Sequence, residues 1–156
     1  MKPRLAVLLT LALFVSASTF AGDADYTVKA PDGWKKRSAS SAPEHYMKNG
    51  VSLMLTIDAA PAEIKTLDAY VEFVKKQYTG VMANLKFDPV KKLTINGMDA
   101  RELCYSGETS GLQMKYDVVY VMKQSKVYTM TAGGMAQTFD SMKADYKAFF
   151  SSFKLK

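Results

Sequence analysis

Leu112-Gln113-Met114-Lys115-Tyr116-Asp117-Val118-Val119-Tyr120-Val121-Met122 is the stretch that decides the fold class. From Leu112 onward every second residue is apolar or aromatic, which is the period of a strand with one buried face. The opposite face carries Gln113, Lys115 and Asp117, then turns apolar at Val119 and Val121. One side of this strand is therefore buried throughout, and the other is covered only toward the middle or end.

The same period extends in both directions. Phe87 to Ile95, Met98 to Tyr105 and Lys126 to Ala132 read as strands around it. Asn96-Gly97 forms a two-residue hairpin loop, because both positions of such a turn tolerate φ > 0. Ser106 to Gly111 reads as a longer polar turn and Gln124-Ser125 as a tight one, while Gly133-Gly134 is expected to break the last strand. Upstream, Val51 to Asp58 places Val51, Leu53, Leu55 and Ile57 on a core face, joined to His45–Met47 through Lys48-Asn49-Gly50. Tyr26 to Lys29 is a short strand ended by Pro31-Asp32-Gly33; Trp34 opens an extended piece, and Ser38 to Pro43 is loop.

Two segments change to the helical period. Thr66 can cap a helix with Asp68 in its first turn, where the helix dipole favours a carboxylate. Leu67, Tyr70, Val71, Val74, Tyr78, Val81 and Met82 then form one apolar stripe. A second helix starts at Thr138 or Asp140, with Phe139, Met142, Tyr146, Phe149 and Phe153 on one side. These elements predict an α+β fold: an antiparallel sheet of six or seven strands with two main helices packed on it, in two layers or three.

The first residues carry an address. Lys2 and Arg4 precede the apolar run Leu5–Val15, and Ser16 to Gly22 is a small-residue stretch broken only by Phe20. That layout predicts a signal peptide over residues 1–21, cut between Ala21 and Gly22, with cleavage after Ala17 or Ser18 as the alternative. The run is about half the roughly 20 residues a spanning helix needs, so no stable transmembrane anchor is expected after cleavage. Residues 22–156 then suit one domain of an exported protein, periplasmic in the first instance and extracellular in the second. The apolar run is followed by no cysteine that could carry a lipid, and the single Cys104 can form no disulfide within the chain.

Export would remove two of the 21 basic residues and leave 19 against 15 acids, a mild surplus of +4. With no basic run longer than Lys35-Lys36-Arg37, no nucleic-acid partner is expected, and a weak contact with an anionic membrane surface stays open.

No catalytic, cofactor-binding or metal-binding motif stands out. His45 is the only histidine, and no Gly-x-Ser-x-Gly element accompanies it. Cys104 lies in a strand without a recognisable partner, and Asp23/Asp25, Asp99/Glu102 and Asp140/Asp145 give no sign of a shared cleft. Gly107 and Gly111 bracket a turn, and Gly133-Gly134 lacks the lysine of a phosphate loop. One histidine and one cysteine cannot build a structural zinc site. Of ten methionines, the nine beyond Met1 show no tight cluster in sequence, so they are read as core packing rather than as copper ligands, with an adaptable binding groove as a weaker reading. Tyr105, Tyr116, Tyr120, Tyr128 and Trp34 are read as cross-strand packing rather than as a stacking platform.

Taken in order, Pro31-Asp32-Gly33-Trp34, the helix Leu67-Asp68-Ala69-Tyr70-Val71, Leu93-Thr94-Ile95-Asn96-Gly97 with Ala100-Arg101-Glu102, Val127-Tyr128-Thr129-Met130-Thr131, Thr138-Phe139-Asp140 and Phe149-Phe150-Ser151-Ser152-Phe153-Lys154 resemble the PsbP-like superfamily. That superfamily is named after an extrinsic photosystem II subunit, and bacterial DcrB-type envelope proteins are similar. The resemblance implies an antiparallel sheet with helices packed on it and a role in binding rather than catalysis; it carries over no site residue. The expected function is that of an exported, non-enzymatic accessory protein with a protein partner at or near the envelope. The alternative is a carrier of an apolar small molecule in a pocket between the sheet and the long helix. A hydrolase comes third, and would need His45 or Cys104 in a cleft beside a carboxylate.

Overall fold

The computed structural model describes residues 24–156. The segment expected to be a signal peptide, the expected cleavage point between Ala21 and Gly22, and Asp23 lie outside the described residues. Ten strands and three α-helical segments follow in the order β1 (Tyr26–Thr27), β2 (Lys35–Lys36), β3 (Glu44–Lys48), β4 (Val51–Ala59), α1 (Leu67–Tyr78), β5 (Ala83–Phe87), β6 (Lys91–Ile95), β7 (Met98–Thr109), β8 (Leu112–Lys123), β9 (Lys126–Met135), α2 (Ala136–Phe139), α3 (Lys143–Ser151) and β10 (Lys154–Leu155). A single 3₁₀ turn, Asp140–Met142, joins α2 to α3.

Eight strands form one sheet in the order β2-β3-β4-β9-β8-β7-β5, with β6 sharing the β7 edge with β5; β1 and β10 pair separately. All of these pairings are antiparallel. The sheet thus exceeds the expected six or seven strands. One reason is that Phe87 ends a strand of its own, β5, which begins at Ala83, while β6 starts only at Lys91, beyond Asp88-Pro89, where proline offers no N–H to the ladder.

Hairpin registers follow from the turns. Asn49-Gly50 and Asn96-Gly97 both take positive φ, near 49° and 77°, and 48° and 81°, as a two-residue loop of this twist demands. The polar turn expected over Ser106–Gly111 shrinks to Ser110-Gly111, and β7 and β8 run on to pair Thr109 with Leu112. Gly133-Gly134 does not break β9, which continues to Met135. A Cβ on Gly133 would lie 2.6 Å from the ring of Tyr116, and one on Gly134 would lie 3.0 Å from Val51. These glycines admit neighbours; they do not turn the chain.

The helices pack on opposite faces, so the molecule has three layers. Even-numbered residues of β8 (Val118, Tyr120) meet α1 through Leu67, Tyr70, Val71 and Val74, together with Leu103, Tyr105 and Val127. Odd-numbered Val119 and Val121 meet Phe139, Tyr146, Phe149, Phe150 and Phe153 with Leu53, Leu55, Tyr128 and Met130. The Thr66 hydroxyl accepts from Ala69 N–H at 3.2 Å and caps α1 as expected. The helix stops at Tyr78, leaving Val81 39% exposed instead of extending the apolar stripe. Buried Arg101 of β7 clamps the start of α1, donating to both Asp68 oxygens at 2.6 and 3.1 Å and to Asp99 at 2.6 Å.

Candidate functional site

A helix about 10–12 Å across covers roughly two strands spaced about 4.8 Å apart. α1 lies over β7 and β8, and the core beneath it reaches Val127 of β9, so on the same face β3, β4 and the Thr131–Met135 end of β9 stay half open. Register fixes what this open face presents. Met54 stands between His45 and Thr131, and Ser52 between Met47 and Gly133. Gly133 faces Tyr116, and Met114 faces Met135. Met47, Met54, Met114 and Met135 belong to neither core, in contrast to Met82, Met98, Met122, Met130 and Met142. Five of the nine methionines beyond Met1 thus pack the interior, and four line a partly open sheet face. Leu112, at the same end, is 53% exposed.

The face has a firm floor. The Tyr116 ring crosses Gly133 and stacks on Tyr105 with centroids 4.7 Å apart and an interplanar angle of 13°. Tyr120 lies deeper, edge-on to Tyr70 beneath α1. Tyr128 projects to the other side of the sheet, where its hydroxyl donates to Asp25 at 2.7 Å. Trp34 is buried on that side as well, and its Nε1–H donates to Asp145 at 2.8 Å. The five aromatics therefore serve two separate cores.

His45 sits on the open face with Nε2 2.8 Å from Ser52 Oγ, the spacing of a base and a nucleophile. Nδ1 is buried and has no hydrogen-bond partner. A catalytic histidine needs a group there to orient the ring, and none is present among the described residues. Burial, aided by the Arg37 charge, lowers the His45 pKa and so favours the neutral ring. Ser52 was not singled out from sequence, yet the Asn49-Gly50 turn places it diagonally across from His45.

A second constellation lies under α3. Cys104 and Asp117 are opposite in register, and Glu102 is two residues along the same face of β7. One donor atom from each lies within 4.8 Å of the others, the arrangement of a small metal cradle. Lys147 of α3 holds the positive centre, donating to Glu102 and, at 2.7 Å, to Asp117 Oδ2. Lys91 adds a second cation 3.8 Å from Glu102. Burial raises the Asp117 pKa against the pull of Lys147. Burial opposes ionisation of Glu102 too, but Lys147 outweighs it and holds that carboxyl below its ordinary value. Burial and the neighbouring Asp117 and Glu102 carboxylates push the Cys104 thiol up to about 12, far from the thiolate a nucleophile requires. The cluster is an internal salt bridge between α3 and the sheet.

The other carboxylates also hold structure. Asp140 pairs with Lys115 at 2.6 Å, Asp145 with Lys48 at 2.9 Å, and Asp25 with Lys126 at 2.9 Å. Asp99 and Glu102 point to opposite faces of β7, toward Arg101 and Lys147 respectively. Between α1 and the sheet, where the alternative carrier reading needs a pocket, Tyr70, Val71, Val74, Leu103, Tyr105 and Tyr120 pack as core.

This architecture is that of the PsbP-like fold. LpqN of Mycobacterium tuberculosis, described as involved in cell envelope biogenesis, matches with a TM-score of 0.68 at 14% identity, over 84% of this chain and 83% of that one. A Pseudomonas aeruginosa protein of unknown function matches at 0.61 and 16% identity, over 84% of this chain and 97% of that one. Cyanobacterial PsbP from Synechocystis matches at 0.58 and 18% identity, over 85% and 87%. The sequence matches no protein-family model and no curated protein. Among the described residues no helix is long and apolar enough to cross a membrane.

Proposed function

We propose that this chain is an exported, non-enzymatic accessory protein that binds a protein partner at or near the cell envelope, with the periplasm as its compartment. Cleavage between Ala21 and Gly22 would release residues 22–156 as one domain. The observation that carries the reading is the open face of β3, β4 and β9. Met47, Met54 and Met135 there, with Met114 opposite Met135 on β8, stay outside both cores, beside the Tyr116 ring that stacks on Tyr105. Unbranched, polarizable methionines reshape to a partner at little cost, which suits an adaptable contact surface. LpqN, which shares the fold, is described as involved in envelope biogenesis, and that association supports the compartment.

Photo-crosslinking in the host tests the reading. A reactive group at Met54 or Thr131 is expected to trap a defined polypeptide that a group at Lys76, on the exposed side of α1, does not. Equal trapping from both positions would overturn it. N-terminal sequencing of the exported protein should begin at Gly22, and a chain beginning at Met1 would remove the cleavage step and leave Leu5–Val15 as a short anchor.

A further inference from the structure

A hollow lies away from the open face, at the end of the molecule where the β6–β7 turn meets the C-terminal strand. It encloses about 470 Å³. The floor is Met98, Val121, Met122 and Leu155, and the rim carries Lys123, Lys154 and Lys156 with Asp99. None of these three lysine side chains is held in an ion pair among the described residues. Asp99, the only carboxylate in the lining, is already taken by Arg101 at 2.6 Å. The positive surplus at the rim survives even a free α-carboxyl on Lys156. Lysines left unneutralised around a shared concavity repel one another, and an anion relieves that repulsion.

The architecture makes the concavity firm. Asn96, in the β6–β7 turn, donates through its side-chain amide to Ser151 O at 3.0 Å and to Phe153 O at 2.6 Å. Lys156 N–H donates to Asp25 O at 2.9 Å. The turn, the C-terminal strand and the start of the described chain are thus tied together around the hollow.

We infer that this hollow docks the phosphodiester head group of an anionic phospholipid, so that this end of the protein rests on a membrane surface. Charge selects the class of ligand. The apolar floor selects the source, because free phosphate gains nothing from Met98, Met122 and Leu155, whereas a lipid brings apolar glycerol and acyl atoms to cover them. The inference stands independently of the protein partner on the open face.

The experiment is co-sedimentation of the protein, purified as its host exports it, with phosphatidylglycerol–phosphatidylcholine vesicles and with phosphatidylcholine vesicles alone. Partitioning is expected on the anionic vesicles only, weakening as salt rises. Each of Lys123→Gln, Lys154→Gln and Lys156→Gln should lower it about fivefold. A Lys35→Gln/Lys36→Gln control, on β2, should leave it near wild type. Equal loss in this control would mean diffuse attraction and overturn the site. So would equal binding to phosphatidylcholine alone, or no binding at all. Inorganic phosphate at millimolar level that abolishes vesicle binding would assign the hollow to a free anion instead.

Discussion

Lys147 Nζ lies 2.7 Å from Asp117 Oδ2 and also donates to Glu102, so one ammonium on α3 answers two carboxylates rising from the sheet. The Asp117 side chain is only 3% exposed. Asp117 Oδ1 is buried without a partner. Removing the ammonium would leave two buried acids facing each other. Lys147→Met should therefore destabilise the fold by about 2–3 kcal/mol, below the ~3–5 kcal/mol of a fully buried pair because Lys147 is itself 37% exposed. Urea denaturation measures this, and adding Asp117→Asn to Lys147→Met should recover part of the loss. A double variant weaker than the single one would show that the charge cluster is not the cause.

His45 should give the stability curve a slope just below neutrality. Burial lowers its folded pKa below 6.5. As pH falls under 6.5 the unfolded chain takes up the proton first, so stability drops from there toward the folded pKa. Asp25, Asp68 and Asp145 are shifted below 3.8 by their Lys126, Arg101 and Lys48 partners, so their contributions fade only in stronger acid. Melting temperatures of wild type and His45→Gln across this range separate the two effects. The near-neutral slope should vanish in the variant, and its persistence would assign it to other groups.

Gly133 is required by the ring above it. Gly133→Ala brings a Cβ to 2.6 Å from Tyr116, and overpacking of this kind costs about 1–3 kcal/mol. In a Tyr116→Ala background the same change should cost less. Chemical denaturation of the four chains gives the coupling, and additive effects would show that ring and glycine do not compete for space.

Cys104 should resist alkylation while the protein is folded. With its thiol pushed up to about 12, against 9.0 for an ordinary cysteine, the thiolate fraction at mild pH falls roughly a thousandfold. Iodoacetamide should label the native protein slowly and the urea-unfolded chain at a normal rate. Comparable rates in both would place the thiol outside the Glu102–Asp117–Lys147 environment.

Much of the fold is readable from local patterns because local forces decide it. The Asn49-Gly50 and Asn96-Gly97 turns set two registers outright, and the alternation along Leu112–Met122 assigns each residue its face. Gly133-Gly134 misleads, because glycine marks either a turn or a close approach. Only Tyr116, from the next strand, decides which applies. The open face was hidden for a different reason: alternation tells which side a residue faces, but not how many strands a helix on that side covers. Cys104, Glu102 and Asp117 become a cluster only once β7 and β8 are in register, and Lys147 joins them only through the phase of α3 against the sheet.

The pairing of β1 with β10, Tyr26 opposite Leu155 and Thr27 opposite Lys154, imposes an order of events. A chain threaded through a membrane with its first residues leading delivers Tyr26 early and Leu155 last. The opening strand must wait unpaired until the closing one arrives, and Tyr26 can stack on Phe153 only then. The first described strand is thus closed by one of the last, so a chain cut before Phe153 leaves Tyr26 without its stacking partner and β1 without its ladder.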